Sequence, residues 1–138
     1  MIILDTNVLS ELMQHRPDPA VVEWLDAQAV SAVFITSITL FESRYGISLL
    51  AGGRRKGAVQ ERLDLLISED LEHRILTFDP KAADCAADLA AARRRSGQSV
   101  DTRDTFIAGI AVANGALLAI RNTRNFADLL VPVVNPWG

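Results

Sequence analysis

Short apolar runs alternate with longer amphipathic segments along the whole chain, and this alternation limits the possible folds more than any other feature. The runs are four residues or fewer and rich in Ile, Val and Leu, as is typical of strands buried on both faces. The clearest runs are 2–4, 33–36, 75–77 and 117–120, with a weaker fifth at 131–134. Pro132 interrupts the fifth run, so we expect that strand at a sheet edge.

Helical patterns fill the intervals between these runs. They cover residues 7–13, 19–28, 38–50, 58–68, 81–95 and 102–114. The starts of three helices are marked by Ser37, by Asp79 with Pro80 after it, and by Asp101. The end of the last helix is marked by Gly115. Parallel strands joined by right-handed helical crossovers are the simplest topology for this order. The sequence therefore predicts an α/β fold with three layers, α/β/α, around a mostly parallel sheet of four to five strands.

Length and charge narrow the class of protein. With 138 residues, of which 49% are hydrophobic, the chain has enough apolar material for one core, and we expect a single domain over 1–138. The net charge of -3 argues against a nucleic-acid coat protein held by phosphate contacts, but not against an enzyme with a local basic track. No run is long enough to cross a bilayer, so we expect a cytoplasmic protein without membrane contact.

Three carboxylates stand where this topology would gather them. Asp5 directly follows the first strand, and ligands of open parallel sheets bind beyond the carboxyl ends of the strands. Glu42 and Asp104 lie near the starts of two later helices. None of the three has a Lys or Arg three or four residues away, so no local ion pair accounts for them. Together they indicate a shared pocket that binds a cation.

Structural roles compete with this interpretation for each acid. Asp5 is placed to cap the following helix, and Asp104 to interact with its helix dipole. Glu42 is harder to explain, because it borders an apolar stripe that we expect to face the core and a carboxylate there needs a partner. The stripe consists of Ile38, Phe41, Tyr45 and Leu49. Jointly, the three acids favour a functional site.

Four ordered blocks of sequence resemble one known family. Residues 3–12, ILDTNVLSEL, resemble the opening of PIN-domain proteins of the VapC toxin type. The segment that carries the second acid of that family is resembled by residues 36–42, TSITLFE. The segment that carries the third acid is resembled by residues 104–111, DTFIAGIA. Residues 118–122, LAIRN, resemble its strand exit, and the ending 134–137, VNPW, is similar to the FitB-like branch. The resemblance spans essentially the whole chain and implies a PIN-like domain.

Carried over residue by residue, the resemblance implies that Asp5, Glu42 and Asp104 ligate Mg²⁺ or Mn²⁺ directly or through water. It implies a catalytic site in which metal-activated water attacks an RNA phosphodiester. Thr6 matches the hydroxyl residue after the first acid and is placed to bond a metal-bound water or a carboxylate. Asn122 stands at a fourth position that is sometimes aspartate, so a second ion should bind more weakly.

Basic residues are candidates for substrate binding. Arg54, Arg55 and Lys56 form a predicted cationic loop, and Arg121 is the cation nearest the site by sequence. The run Arg93–Arg95 either contacts RNA or complements a helix C-terminus. The resemblance implies a metal-dependent endoribonuclease that is the toxin of a type II toxin–antitoxin system. It also implies a homodimer, an antitoxin partner, and a toxin–antitoxin hetero-oligomer that binds operator DNA through the antitoxin.

Two other classes of function stay open at this point. One is a phosphatase that uses Asp5 as the nucleophile and forms an aspartyl-phosphate. Such enzymes typically carry a second Asp two residues on, where this chain has Asn7. The other is a catalytically silent binding module with a PIN fold, for which Asn122 and Ile120 are the only indications.

Overall fold

The computed structural model describes the whole chain, Met1 to Gly138. Its strands are β1 (Ile2–Leu4), β2 (Val33–Thr36), β3 (Ile75–Leu76), β4 (Leu117–Ala119) and β5 (Val133–Val134). Its helices are α1 (Thr6–Leu12), α2 (Pro19–Asp26), α3 (Ser37–Ser48), α4 (Arg54–Leu65), α5 (Pro80–Arg95) and α6 (Thr102–Asn114). Short 3-10 helices lie at Val30–Ala32 and Thr123–Phe126, and a π-helical turn, Leu66–Asp70, extends α4. No helix is long and apolar enough to span a membrane.

The five strands form one parallel sheet in the order β3-β2-β1-β4-β5. Ile2 pairs with both Val33 and Leu117, so β1 lies at the centre. The Asp5 N–H donates to the Ala119 carbonyl oxygen at 2.9 Å, which continues the β1–β4 ladder one residue beyond β1. The predicted fold class is confirmed, and Asp5 is fixed by the backbone at the carboxyl edge of the central strand.

Alternate residues of β1 point into two separate cores, as the two-residue period of a strand requires. Ile2 and Leu4 pack into a cluster with residues of α1 to α4. Ile3 packs into a second cluster on the other face, with residues of α5 and α6. The sheet is therefore the middle layer of three, with Asp5 and Asp104 approaching its edge from different layers.

The helix starts follow the predicted capping chemistry at two of three positions. The Asp79 side chain accepts the Ala82 N–H at 2.9 Å, and the Asp101 side chain accepts the Asp104 N–H at 3.0 Å. For α3, Ser37 marks the start as predicted, because it is the first helical residue, but it is not the cap. Thr36, the last residue of β2, caps the helix, and its hydroxyl accepts the Thr39 N–H at 3.1 Å.

The predicted cationic loop is also wrong. Arg54, Arg55 and Lys56 form the first turn of α4, which begins four residues earlier than expected. Gly53 precedes the helix at a φ of 127°, a conformation that other residues rarely adopt, and so allows the chain to turn into the helix there. Three cations therefore stand at a helix N-terminus, where the helix dipole disfavours positive charge.

The apolar stripe on α3 faces the core only at Ile38, which packs against the second core cluster, and the prediction is wrong for its other three residues. Phe41, Tyr45 and Leu49 are 56%, 51% and 69% exposed. The Phe41 and Tyr45 rings stack on each other with centroids 5.9 Å apart. The buried face of α3 carries Thr39 and Ile47 instead, because α1 packs there and the Thr6 hydroxyl lies 3.1 Å from that of Thr39. An apolar surface is left on the outside of the helix.

An ion pair between a buried arginine and a more exposed aspartate joins the end of α5 to the segment that follows β4. Arg93 is 6% exposed, and its Nε and Nη2 lie 2.9 and 3.0 Å from the two carboxylate oxygens of Asp128. Nη2 also donates to the Asn125 carbonyl at 2.9 Å, and the guanidinium lies 5.7 Å from the centroid of the Phe126 ring. This bonding raises the pKa of Arg93 and lowers that of Asp128. Arg93 is therefore a structural residue, and together with Arg94 and Arg95 it lies in the last turn of α5, as the predicted role at a helix C-terminus requires.

Close packing of α5 against α6 depends on a glycine. A Cβ added to Gly109 would lie 2.7 Å from the Ala82 carbonyl oxygen and 2.7 Å from the Ala86 Cβ. Both are atoms of α5 that cannot rotate away. Gly109 thus sets the distance between the helices, and α6 also carries Asp104.

Gly109→Ala is expected to destabilise the protein by about 1–3 kcal/mol, since overpacking against backbone forces the helices apart. Gly57→Ala is the matched control, because a Cβ on this α4 residue meets nothing within 4 Å. That variant should be stabilised by up to about 1 kcal/mol through helix propensity. Urea unfolding of both variants measures the difference. Equal effects would show that the α5–α6 distance does not depend on Gly109.

Candidate active site

A cleft of about 450 Å³ opens at the carboxyl edge of the sheet and brings the three predicted acids together. Asp5 comes from the end of β1, Glu42 from α3 and Asp104 from the first turn of α6. The residues that line the cleft are Asp5, Thr6, Asn7, Ser10, Glu11, Gln14, Glu42, Asp104, Arg121 and Trp137. Acids therefore enter one cavity from the middle layer and from both helical layers.

Asp5 is the most strongly perturbed of these acids. It is 6% exposed, and its Oδ1 is buried without a hydrogen-bond partner. Burial raises its pKa from 3.8 to about 7, aided by the charge of Asp104 and, less strongly, that of Glu42. The amides of Thr6 and Asn7 oppose this rise only in part. Asp5 occupies the N-cap position of α1 but makes no side-chain cap bond, so capping does not account for it.

Asp104 is perturbed in the same direction. Its pKa is raised by partial burial first and then by the charges of Asp101 and Glu42, while Arg93 and Arg103 lower it. The capping task at this helix belongs to Asp101, whose carboxylate accepts the Asp104 N–H. The Asp104 side chain is consequently left free to line the cleft.

Glu42 is held by two groups that are distant in sequence. The Thr6 hydroxyl donates to Oε1 at 2.7 Å, and Arg103 Nη1 lies 3.7 Å from Oε2. The expectation that Thr6 bonds a carboxylate agrees with this geometry. The absence of a local ion pair had suggested an unpaired Glu42, but Arg103, the neighbour of Asp104, crosses from α6 to reach it. Sequence spacing gave no sign of this pair because the two residues are on different helices.

The donor set suits a hard divalent cation. Carboxylate oxygens are the ligands that Mg²⁺ and Mn²⁺ prefer, and a cation would pair the orphaned Asp5 oxygen and relieve the repulsion among the acids. No three acidic, His or Cys side chains converge as a ready-made metal-binding group. Mg²⁺ usually keeps several waters and binds proteins through one or two carboxylates, so full convergence is not required.

Several predicted residues lie outside the cleft. Asn122 is exposed and is not part of its lining. Arg55 lines a neighbouring groove of about 440 Å³ formed by α1, α3 and α4, whereas Arg54 and Lys56 line neither cavity. Of the four basic candidates, only Arg121 belongs to the cleft itself.

Other lining residues were missed from the sequence. Ser10, Glu11 and Gln14 follow Asn7 at spacings of three, four and seven, which place them on one face of a helix. Gln14 lies just beyond the end of α1 and keeps this register. The polar stripe they form was a detectable signal, and Glu11 adds a fourth carboxylate to the cleft.

Asp5→Asn is expected to stabilise the free protein, and increasingly so as the pH rises. The folded-state pKa of Asp5 is above its unfolded value, so its contribution to stability is complete below pH 3.8 and is lost as the pH rises through about 7. Because one pKa unit corresponds to about 1.4 kcal/mol, the advantage of the variant should grow by roughly 2–3 kcal/mol between pH 5 and pH 8.

Denaturant unfolding in chelator at these two pH values measures this effect. Asp88→Asn removes a carboxylate from the exposed face of α5, away from the cleft, and is the matched control. A pH-independent difference between Asp5→Asn and the wild type would contradict the burial of an ionisable group at this position.

Comparison with known proteins gives consistent matches over the whole chain. The PIN domain family model matches residues 2–129. Plasmid stability protein StbB of Pseudomonas syringae is 40% identical and VapC ribonuclease Y4jK of Sinorhizobium fredii is 39% identical. Each alignment covers 99% of this chain and at least 98% of the relative.

The toxin FitB of Neisseria gonorrhoeae is 36% identical, over 99% of both chains. A solved structure of FitAB bound to a DNA fragment matches with a TM-score of 0.91, covering 100% of this chain and 96% of that chain. The chain therefore belongs to the PIN-domain family, within the toxin–antitoxin group that includes VapC ribonucleases and FitB.

Proposed function

We propose that this protein is a metal-dependent endoribonuclease and the toxin of a type II toxin–antitoxin system. One observation carries the proposal: a buried Asp5 carboxylate with a pKa of about 7 shares an open cleft with Glu42 and Asp104. Such perturbed acids cluster at functional sites, since an isolated buried charge is costly in a purely structural role. Similarity to a protein named as a VapC ribonuclease supports RNA hydrolysis as the reaction.

The residues of the cleft have different roles in the proposed reaction. Asp5, Glu42 and Asp104 would hold Mg²⁺ or Mn²⁺ directly or through water. When bound, the ion lowers the pKa of water and neutralises charge on the phosphate oxygens. The Thr6 hydroxyl fixes Oε1 of Glu42 at 2.7 Å, which orients the carboxylate toward the cleft. Asn122 remains a predicted fourth position, whose neutral side chain would leave a second ion weakly held.

The proton on Asp5 competes with the cation. Below pH 7 the carboxyl group is largely protonated in the free protein, so a cation must displace that proton to bind. The affinity of the site for Mg²⁺ should therefore increase from pH 6 to pH 8 and then level off.

The phosphatase alternative has less support. Asn7 lines the cleft at the position where those phosphatases carry a second acid, and an amide cannot serve as a general acid. Detection of a phosphoaspartate at Asp5 after treatment with a phosphate monoester would favour this alternative.

An antitoxin is the proposed protein partner. The groove of α1, α3 and α4 shares Thr6, Ser10, Gln14 and Glu42 with the acidic cleft, so one bound segment can cover both. The lining of the groove mixes apolar residues with Arg55 and Arg62, which suits an amphipathic segment carrying acidic groups. By analogy with the DNA-bound FitAB structure, operator DNA would be bound by the complex through the antitoxin.

A homodimer is a further prediction, and the exposed apolar face of α3 is its proposed interface. Replacing Tyr45 and Leu49 with Ser should convert a dimer to a monomer in light-scattering measurements, because burial of these side chains would drive association. Leu130→Ser, which changes a side chain that is 94% exposed on another segment, should leave the dimer intact. A wild-type protein that is monomeric at micromolar concentrations would contradict the prediction.

Purified protein without its partner should cleave RNA in Mg²⁺ or Mn²⁺ and stop when chelator is added. Asp5→Asn should reduce cleavage by at least about 100-fold, since a carboxylate at the reacting centre is lost. The half-maximal Mg²⁺ concentration for the wild type should be higher at pH 6 than at pH 8. Gel analysis of end-labelled RNA measures all three results.

Asp88→Asn controls for the loss of a negative charge and should cleave like the wild type. Expression in a host cell extends the test, because the wild type should arrest growth, Asp5→Asn should not, and co-expressed antitoxin should restore growth. Intact RNA across all metals, together with equal growth of both strains, would overturn the proposed function.

A further inference from the structure

An arginine is stacked on a tryptophan at the rim of the acidic cleft. The guanidinium carbon of Arg121 lies 4.6 Å from the centroid of the Trp137 ring, and both residues line the cleft. Arg121 is exposed, whereas Trp137 is partly buried and packs against the core cluster beneath the sheet. An exposed cation is thus supported by an aromatic ring that is itself anchored in the fold.

Strand pairing brings these two residues to the same place. Ala119 of β4 pairs with Val134 of β5, and the Ile120 N–H donates to the Val134 carbonyl at 2.9 Å. The chain leaves both strands at the carboxyl edge, with Arg121 two residues beyond one and Trp137 three residues beyond the other. The backbone N–H of Trp137 then donates to the Asn135 side-chain oxygen at 2.9 Å, and this bond fixes the turn that places the indole at the cleft.

The stack explains why Arg121 does not neutralise the acids beside it. Arg103 approaches Glu42 to 3.7 Å, but Arg121 forms no ion pair within 4 Å although it lines the same cleft. A long arginine side chain close to three acids would be drawn among them unless another contact held it. Stacking on the indole supplies that contact through a cation–π interaction.

Stacking also leaves the guanidinium available for a ligand. It uses the flat face of the group, so the N–H donors at the edge stay free for bidentate contact with a phosphate. A nucleic-acid strand can place one phosphate at the acids while the next phosphate along the strand lies at the cation on the rim of the cleft. Single-stranded RNA has phosphates in such a series, with flexible spacing.

We propose that Trp137 is a positioning residue that holds Arg121 at the cleft rim, where Arg121 binds an RNA phosphate next to the cleaved one. This proposal rests on the proposed ribonuclease function. It assigns Arg121 to substrate binding and Trp137 to the orientation of Arg121, and it separates both from the acids that would hold the metal.

Binding of a labelled single-stranded RNA in chelator tests the proposal without cleavage. Fluorescence anisotropy over a range of salt concentrations should show Arg121→Ala weakening binding about 5- to 10-fold at low salt. The slope of log Kd against log salt should fall by about 0.7, as expected for one lost phosphate contact on a single strand. Lys81→Ala, which removes an exposed cation in the first turn of α5 outside the cleft, is the matched control and should change neither quantity.

Variants of the stack distinguish positioning from a general structural role. Trp137→Leu should weaken binding about 2- to 5-fold, Trp137→Phe should restore most of it, and Arg121→Lys should behave like Trp137→Leu because it keeps the charge but loses the planar stack. The double variant Arg121→Ala with Trp137→Leu should bind no more weakly than Arg121→Ala alone. In Mg²⁺ the same variants should raise KM for RNA cleavage with kcat nearly unchanged.

Two outcomes would overturn the proposal. One is a Trp137→Leu protein that is folded by circular dichroism and has wild-type Kd, salt slope and KM. The other is additive weakening in the double variant, which would show that the two residues act independently. A wild-type protein that cleaves no RNA would instead refute the proposed function, so the two failures are distinguishable.

Discussion

The hydrogen bond from the Asp5 amide to the Ala119 carbonyl, at 2.9 Å, is the constraint on which the site depends. It extends the pairing of the two central strands to the first residue beyond β1, so the position of Asp5 is set by the backbone of the sheet. The side chain is then enclosed, and burial together with the neighbouring acids raises its pKa to about 7. A rigid main chain thus holds a carboxylate in a state that is unfavourable without a cation or a proton.

The other members of the cleft are fixed by contacts between layers. Thr6 donates a hydrogen bond to Glu42 across the α1–α3 contact, and Gly109 allows the close approach to α5 of α6, the helix that carries Asp104. The bidentate pair between the buried Arg93 and the more exposed Asp128 anchors the segment that follows Arg121 and Asn122. Loss of Asp128 would leave the buried guanidinium without its carboxylate, so this contact holds the segment against α5.

Cations around the cleft differ in what they can do. Arg103 lies near Glu42, and Arg93 forms an ion pair with Asp128. Arg121 is stacked on the Trp137 indole and forms no ion pair with the acids. Arg103 is thus the only cation that forms an ion pair with one of the three acids, and Arg121 places positive charge at the rim of the cleft. This separation suits the phosphodiester substrate that we propose, whose neighbouring phosphates would be bound by cations.

Much of the architecture follows from short-range patterns. The bounds of β1, β2 and α6 and the caps Asp79 and Asp101 agree with the prediction because strand hydrophobicity and capping act within a few residues. The gathering of Asp5 and the start of the Glu42 helix at one edge also follows, since Asp5 comes directly after β1 and α3 directly after β2, and parallel strands end at the same side of the sheet. The α3 stripe was misassigned because periodicity shows that a helix has an apolar face but not which neighbour that face meets.

The sequence by itself determined the fold class, the order of the elements and the identity of three of the four acids at the cleft. Only the tertiary structure decided which partners these side chains have. Three contacts join residues of different elements: the ion pairs of Arg103 with Glu42 and of Arg93 with Asp128, and the stack of Arg121 on Trp137. The physical reason is that hydrophobic and capping preferences are local, whereas ion pairs, stacking and pKa shifts depend on distances that exist only once the layers have packed.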